Sequence, residues 1–337
     1  MSFSAPARAL YPRIFSGIQP TGIPHLGNYL GAIRNWVALQ EKADQVLYCV
    51  VDLHSLTVPQ DASRLRANIR DMAISLLACG VNPDKSILFQ QSKVSYHAEL
   101  AWLLSCRTPL GWLRRMTQWK TKKNQQSECL GLLSYPVLMA ADVLLYKTTH
   151  VPVGSDQVQH LELARDVANL FNSAFDDNSF FPEPEPIVGE HGRVMSLRDP
   201  TSKMSKSDPS DLSRIELTDT DDVIRKKIRK AVTDSTSEIT YDPLTRPGVS
   251  NLVSIYGGLT GMSNDDVIRH FVGKDTEAMK SDVTDCVIEY LSPLRKRIRE
   301  LRLDEKYVDE TLDRGCKAAR EIARENFDNI RNVLGLT

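Results

Sequence analysis

The sequence has no Cys-x-x-Cys pair, no Gly-x-Gly-x-x-Gly run and no Gly-x-x-x-x-Gly-Lys-[Ser/Thr] run. These absences remove the main sequence support for a zinc ribbon or dithiol site, a dinucleotide fold and a P-loop, respectively. Nearest to the last is Gly22–Gly27, followed by Asn28 where a lysine is needed. Clusters of Asp and Glu at metal-binding spacing are also missing, so no protein-held metal is expected. The six cysteines (Cys49, Cys79, Cys106, Cys129, Cys286, Cys316) are scattered, four of them in apolar runs. That pattern reads as free, buried thiols in a reducing compartment. No run approaches the roughly 18 apolar residues of a membrane span. Excess charge is lacking too: Lys+Arg 42 against Asp+Glu 43 gives a net charge of -1. Any nucleic-acid surface must therefore be a local patch.

What is present is an ordinary globular composition, 42% hydrophobic and 25% charged over 337 residues, enough for two domains. Arg13–Ile18, Val46–Asp52 and Ser86–Gln91 are short apolar runs suited to buried parallel strands, and Val151–Val153 suggests a fourth. Helical patterns at 27–41, 62–79 and 156–171 alternate with them, which predicts an α/β fold with a doubly wound parallel sheet. Residues 172–200, rich in Pro, Gly and acid, read as a surface connection. Beyond 208 helical patterns dominate, at 220–232, 264–271, 276–291, 293–303 and 305–334. The expected organisation is a tail at 1–13, a Rossmann-like domain at 14–207 and a helical domain at 208–337, its last helix able to pack back on the sheet. The tail has two arginines and no acid, which suits a mitochondrial presequence remnant and equally a frayed basic tail.

Two short runs stand out. Pro20–Asn28 joins an apolar strand to an amphipathic helix, aiming unpaired N–H groups and the positive end of the helix dipole at one point. A phosphate suits that point; the plain alternative is a turn with a helix cap. His25, two residues before Gly27, is placed to donate to phosphate oxygens. Lys203–Ser207 (KMSKS) offers two ammonium groups and two hydroxyls in a polar stretch between Asp199-Pro200 and Asp208-Pro209. As a loop it can fold over a polyphosphate. In the run Tyr135–Tyr146, Pro136 fits a first helical turn, and Tyr135, Met139, Asp142 and Tyr146 then share one face. Asp142 is the sole acid of that run, so it is either a buried structural carboxylate or a ligand acceptor.

In their order, the two runs resemble the signature sequences of class I aminoacyl-tRNA synthetases. With Phe15–Gly22, Val51–His54, Tyr135–Tyr146 and Val151–Gln157, the chain is similar to the tryptophanyl-tRNA synthetases of bacterial and mitochondrial type. Gln19 and Asn28 separate it from the tyrosyl family, which has aspartate and histidine there. The resemblance implies ligation of L-tryptophan to tRNA(Trp) through tryptophanyl-adenylate, with ATP and Mg²⁺, by a homodimer. It implies that Gln19, Pro20, Thr21, Gly27 and Asn28 contact ATP, that Gly154, Ser155 and Asp156 line the ribose, and that Val194 meets the adenine. Lys203, Met204, Ser205, Lys206 and Ser207 would close over the phosphates, with His25, Lys203 and Lys206 as the catalytic group. Phe15, Gly17, His54, Tyr135, Met139, Asp142 and Gln157 would enclose the indole, whose single N–H asks for a single well-held acceptor. Ser155 stands where relatives commonly carry an acid, and His25 where many bacterial members carry threonine. A tyrosyl-type enzyme and a non-catalytic RNA-binding paralogue are the alternatives. The matrix of the mitochondrion is the expected compartment, with a bacterial cytoplasm as the alternative.

Between Arg107 and Lys123 lie six cations (Arg107, Arg114, Arg115, Lys120, Lys122, Lys123), no acid, and Trp112 and Trp119. A solvated face explains such a run; so does a surface for the acceptor end of tRNA. Arg225–Lys230 and Arg295–Arg302 are further basic runs in the helical half.

Overall fold

The computed structural model describes residues 11–122, 129–154, 157–175, 180–188 and 193–336. Five parallel strands form one sheet in the order β3-β2-β1-β4-β5: β1 Tyr11–Ile18, β2 Ala43–Val50, β3 Ile87–Gln90, β4 His150–Val153 and β5 Glu185–Val188. This is the doubly wound order, and its strand sequence reverses between β1 and β4. Side chains alternate along the strands. Ile14, Val46, Tyr48 and Leu88 enter one apolar layer, and Phe15, Leu47, Cys49 and Phe89 the other.

β5 falls inside the stretch expected to be a surface connection. The proline in Glu185–Val188 and the preceding Pro182 and Pro184 mask a strand, but β5 is an edge, where a missing N–H costs little. Val46–Asp52 reads as strand throughout in the sequence; β2 stops at Val50, and Asp52–Ser55 is a short helix whose Asp52 carboxylate ties down Ser92 and Gln90.

Pro136 is a second correction. It lies inside the helix Leu130–Leu144 and not in its first turn, because the turn before it is held by buried Leu132. The shared face of Tyr135, Met139 and Asp142 survives; Tyr146 lies past the helix end and is fully buried. Likewise, 276–291 and 293–303 are one helix, Thr276–Leu303, running through Pro293. An internal proline costs about 3 kcal/mol, and the continuous stripe Val283, Val287, Leu291, Ile298 and Leu301 offsets it. Helix Pro247–Thr260 has no clear sequence signal, since Gly248, Gly257 and Gly258 lower its helical propensity. Three shorter helices, Tyr96–Ser105, Leu110–Arg115 and Thr117–Lys122, also lie outside the helical patterns read from the sequence.

The first apolar layer continues from the sheet into Ile224, Ile228, Val249, Val283 and Val287 of the helical half. Helix Glu305–Leu334 packs on β3 at the closest range a backbone allows. A Cβ built on Gly315 would lie 1.8 Å from the carbonyl oxygen of Leu88. All six cysteines are free; Cys49, Cys79 and Cys316 are buried, whereas Cys106 and Cys129 are exposed.

Candidate active site

A cleft of about 810 Å³ opens at the carboxyl ends of β1 and β4, the reversal point where ligands of such sheets sit. Strand β1 contributes Phe15 and Gly17 and leads into Gln19; the chain after β4 contributes Gly154 and Gln157. Helix Leu130–Leu144 adds Tyr135, Met139 and Asp142, and the short helix after β2 adds His54. All seven residues expected around the indole therefore line one cavity.

Asp142 is the polar focus of that cavity. His54 Nε2 donates to its Oδ2 at 2.7 Å, and Gln91 Nε2 and His97 Nδ1 each donate to Oδ1 at 2.7 Å. Burial alone would raise its pKa, but the charge and hydrogen bonds of His54 and His97 outweigh burial and hold it down to about 2. A carboxylate with four lone-pair sites and three donors retains one open site, on Oδ2. The aromatic wall is fixed from behind as well: Tyr135 Oη lies 2.7 Å from His160 Nε2, and burial pushes the Tyr135 hydroxyl up beyond its ordinary range.

The two signature runs meet each other, the first following directly on the cavity-lining Gln19. Leu26 N–H donates to Ile215 O at 2.7 Å and Leu217 N–H to Pro24 O at 3.1 Å, so the segment after Ser207 pairs with the first run. Met204 N–H donates to the carbonyl of Val194 at 3.1 Å, and Lys206 Nζ to that of Thr21 at 3.0 Å. Gly27 is where the runs touch. A Cβ there would stand 3.1 Å from the His25 ring and 3.5 Å from Met204 Cβ, so the absent side chain admits those two neighbours.

His25 caps the helix that begins at Leu26. Its Nδ1 accepts the Asn28 N–H at 3.2 Å, while Asn28 Oδ1 accepts the His25 N–H at 3.1 Å. Burial first, then Lys206, Lys203 and Arg214, lower its pKa to about 3. The ring is thus neutral, and with Nδ1 accepting, Nε2 carries the proton as a donor without charge. Beyond it the helix makes one π-helical turn, Tyr29–Ile33, before Arg34–Leu39, a distortion common at functional sites. Lys206 is half-buried, and burial lowers its pKa to about 8; Lys203 is exposed.

Ser155, Asp156 and Lys123 lie outside the described residues, and Lys122 ends helix Thr117–Lys122. Arg114, Arg115 and Lys120 are exposed, and among the described residues no acid pairs with them. Arg107 stacks over the Phe175 ring at 4.6 Å. Gln118, in the same stretch, lines the cleft, which sets the patch at its mouth. Half of the cations in the other basic runs are paired with acids within the chain. Lys227 pairs with Asp219 at 2.6 Å, Arg225 with Asp285 at 3.1 Å, Arg302 with Asp71 at 2.8 Å, and Arg295 with Asp221.

Sequence reasoning missed Gln91, His97 and His160, which sit behind the cavity wall. A histidine in an apolar helix is the only local signal.

Residues 10–292 match the family model of tRNA synthetases class I (W and Y). A tryptophan–tRNA ligase of Mesorhizobium japonicum is 48% identical, the alignment covering 97% of this chain and 99% of the relative. The tryptophanyl-tRNA synthetase of Mycoplasma pneumoniae superposes with a TM-score of 0.88 at 35% identity, covering 97% of this chain and 98% of that one. That of Campylobacter jejuni, solved with ADP and tryptophan, gives 0.82 at 35% identity, covering 96% and 100%. By sequence match and by superposition, this chain belongs to the tryptophan–tRNA ligases of bacterial type, within the class I tRNA synthetases.

Proposed function

We propose that this protein activates L-tryptophan with ATP and transfers it to tRNA(Trp), releasing diphosphate and AMP. The observation that carries the reading is Asp142: an ionised, buried carboxylate with one open lone pair in an aromatic cavity that Gln19, the residue before the first signature run, also lines. Indole offers one N–H to match it.

The tryptophan carboxylate attacks the α-phosphorus of ATP in line, and the phosphorus–oxygen bond to diphosphate breaks. The nucleophile is already an anion, so the step requires no general base. The protein positions the reactants and stabilises charge growing on the diphosphate. Lys203 and Lys206 supply positive charge there, and neutral His25 supplies an Nε2–H. Gln19, Pro20, Thr21, Gly27, Asn28, Gly154 and Val194 hold the nucleotide, with Ser155 and Asp156 assigned to its ribose. The 2′-hydroxyl of the terminal tRNA adenosine then takes the acyl group. Mg²⁺ carried on the ATP phosphates would share the charge that Lys203 and Lys206 meet.

The tRNA acceptor end runs along Arg107–Lys123, and the helical half after residue 208 serves the anticodon. Exposed Trp102 (70%), Leu110 and Leu130 supply apolar surface suited to a second copy in a homodimer. For the compartment, the bacterial relatives favour a bacterial cytoplasm, and the tail, with two arginines and no acid, is compatible with a mitochondrial matrix.

Tryptophan-dependent exchange of diphosphate into ATP tests the core of the reading. Exchange that responds to tyrosine in place of tryptophan, or to neither, overturns it.

A further inference from the structure

The three donors around Asp142 divide unequally. His54 lines the cavity, whereas Gln91 and His97 do not. Both bind the same oxygen, Oδ1, each at 2.7 Å. A carboxylate oxygen offers two lone-pair sites, so Oδ1 is filled and the open site belongs to Oδ2 alone.

Each of the two donors is itself held. Gln91 Oε1 accepts the Leu53 N–H at 3.0 Å, so turning its amide over loses two bonds. His97 Nδ1 faces the carboxylate and must carry a proton; its Nε2 lies 2.9 Å from the Tyr146 hydroxyl. The Tyr146 hydroxyl thus holds the ring from behind, and His97 links Tyr146 to Asp142. Gln91, His97 and Tyr146 are all fully buried, where each unmade bond is costly and the network has one good arrangement.

We infer that Gln91 and His97, with Tyr146 behind His97, are positioning residues for amino-acid choice: by filling Oδ1 they fix the carboxylate so that one lone pair meets one ring N–H. With Oδ1 unfilled, the carboxylate can turn and the cavity loses its match to an indole. This inference rests on the tryptophan reading above.

The test compares L-tryptophan with its analogue bearing sulfur in place of the indole nitrogen, in diphosphate exchange by the full chain. Removal of one buried hydrogen bond by Tyr146→Phe is expected to raise the tryptophan KM about 3-fold, and His97→Ala about 10-fold or more. The KM values for the analogue and for ATP stay within about twofold, because neither uses the indole hydrogen bond. His97→Asn, whose amide keeps a donor near the Nδ1 position, recovers most of the loss. Equal loss for the two amino acids, or none for either, overturns the inference. If His97→Ala does not fold, Tyr146→Phe carries the same comparison. A parent protein inactive with tryptophan overturns the proposed function and this inference together; an active parent whose variants lose both amino acids alike overturns this inference alone.

Discussion

Lys206 donates to the main-chain carbonyl of Thr21 at 3.0 Å, so two segments 185 positions apart are latched by one ammonium group. The latch holds the cation next to the helix start where a polyphosphate would lie. Lys206→Ala is expected to lower kcat for adenylate formation by on the order of 10²-fold, as for other charge donors acting in a transition state. Tryptophan binding should change little. An unchanged kcat with a raised KM for ATP would show uniform binding instead.

The same lysine predicts a pH dependence. Burial has lowered its pKa to about 8, so the ammonium is present below that value and lost above it. The free enzyme's groups govern kcat/KM, which for ATP should decline as pH rises through about 8. Lys206→Arg, whose guanidinium stays charged, should move that limb upward. A profile identical in the two proteins removes Lys206 as its source.

His25 makes a prediction about stability. Its folded pKa, about 3, lies below the ordinary histidine value, so the unfolded chain binds the proton more readily. Stability is then full at neutral pH and falls as pH drops from about 6.5 toward 3. Threonine also caps a helix but does not titrate. The melting temperature of His25→Thr should therefore fall less than the parent's between about pH 7 and 4. Parallel curves would place the acid sensitivity elsewhere.

The parts of this fold that are legible in the sequence share a cause. β1, β2 and β3 are covered on both faces and read as apolar runs, and the signature runs fix helix starts and loops locally. β5 is hidden by its prolines and helix Pro247–Thr260 by its glycines, because edge position and tertiary packing decide those elements. The site divides in the same way. Phe15, His54, Tyr135, Met139 and Asp142 sit in recognisable runs and converge on one cavity. Gln91 and His97 lie 51 and 45 positions from Asp142, and only folding brings them to it. Their presence also changes what a mutation reports. Asp142→Ala strands two fully buried donors, so its cost mixes lost recognition with lost structure.

Gly315 offers a test of how the last helix is held. With a Cβ 1.8 Å from Leu88 O, Gly315→Ala forces helix Glu305–Leu334 off β3. Overpacking of this kind costs about 1–3 kcal/mol or more, even though alanine is the better helix former. The denaturation midpoint should fall without a comparable change in helical circular dichroism. A more stable Gly315→Ala would mean that the contact is slack.

The basic patch that borders the cleft at Gln118 is expected to separate tRNA binding from amino-acid activation. Arg114, Arg115 and Lys120 are exposed and, among the described residues, unpaired with acid. Such cations are free to displace counterions from a phosphate backbone, whereas Lys227 and Arg295 are committed to aspartates. Replacing the three with glutamine should weaken tRNA binding. The slope of log affinity against log salt should also flatten by about 0.7–0.9 for each phosphate that is no longer neutralised. Diphosphate exchange involves no tRNA and should persist. Glutamine variants at Arg225 and Arg302 should alter that slope less, their charges being engaged by Asp285 and Asp71. If exchange collapses together with tRNA binding in the triple variant, the three cations support the cleft itself. An unchanged salt slope with intact exchange would leave them as a solvated face.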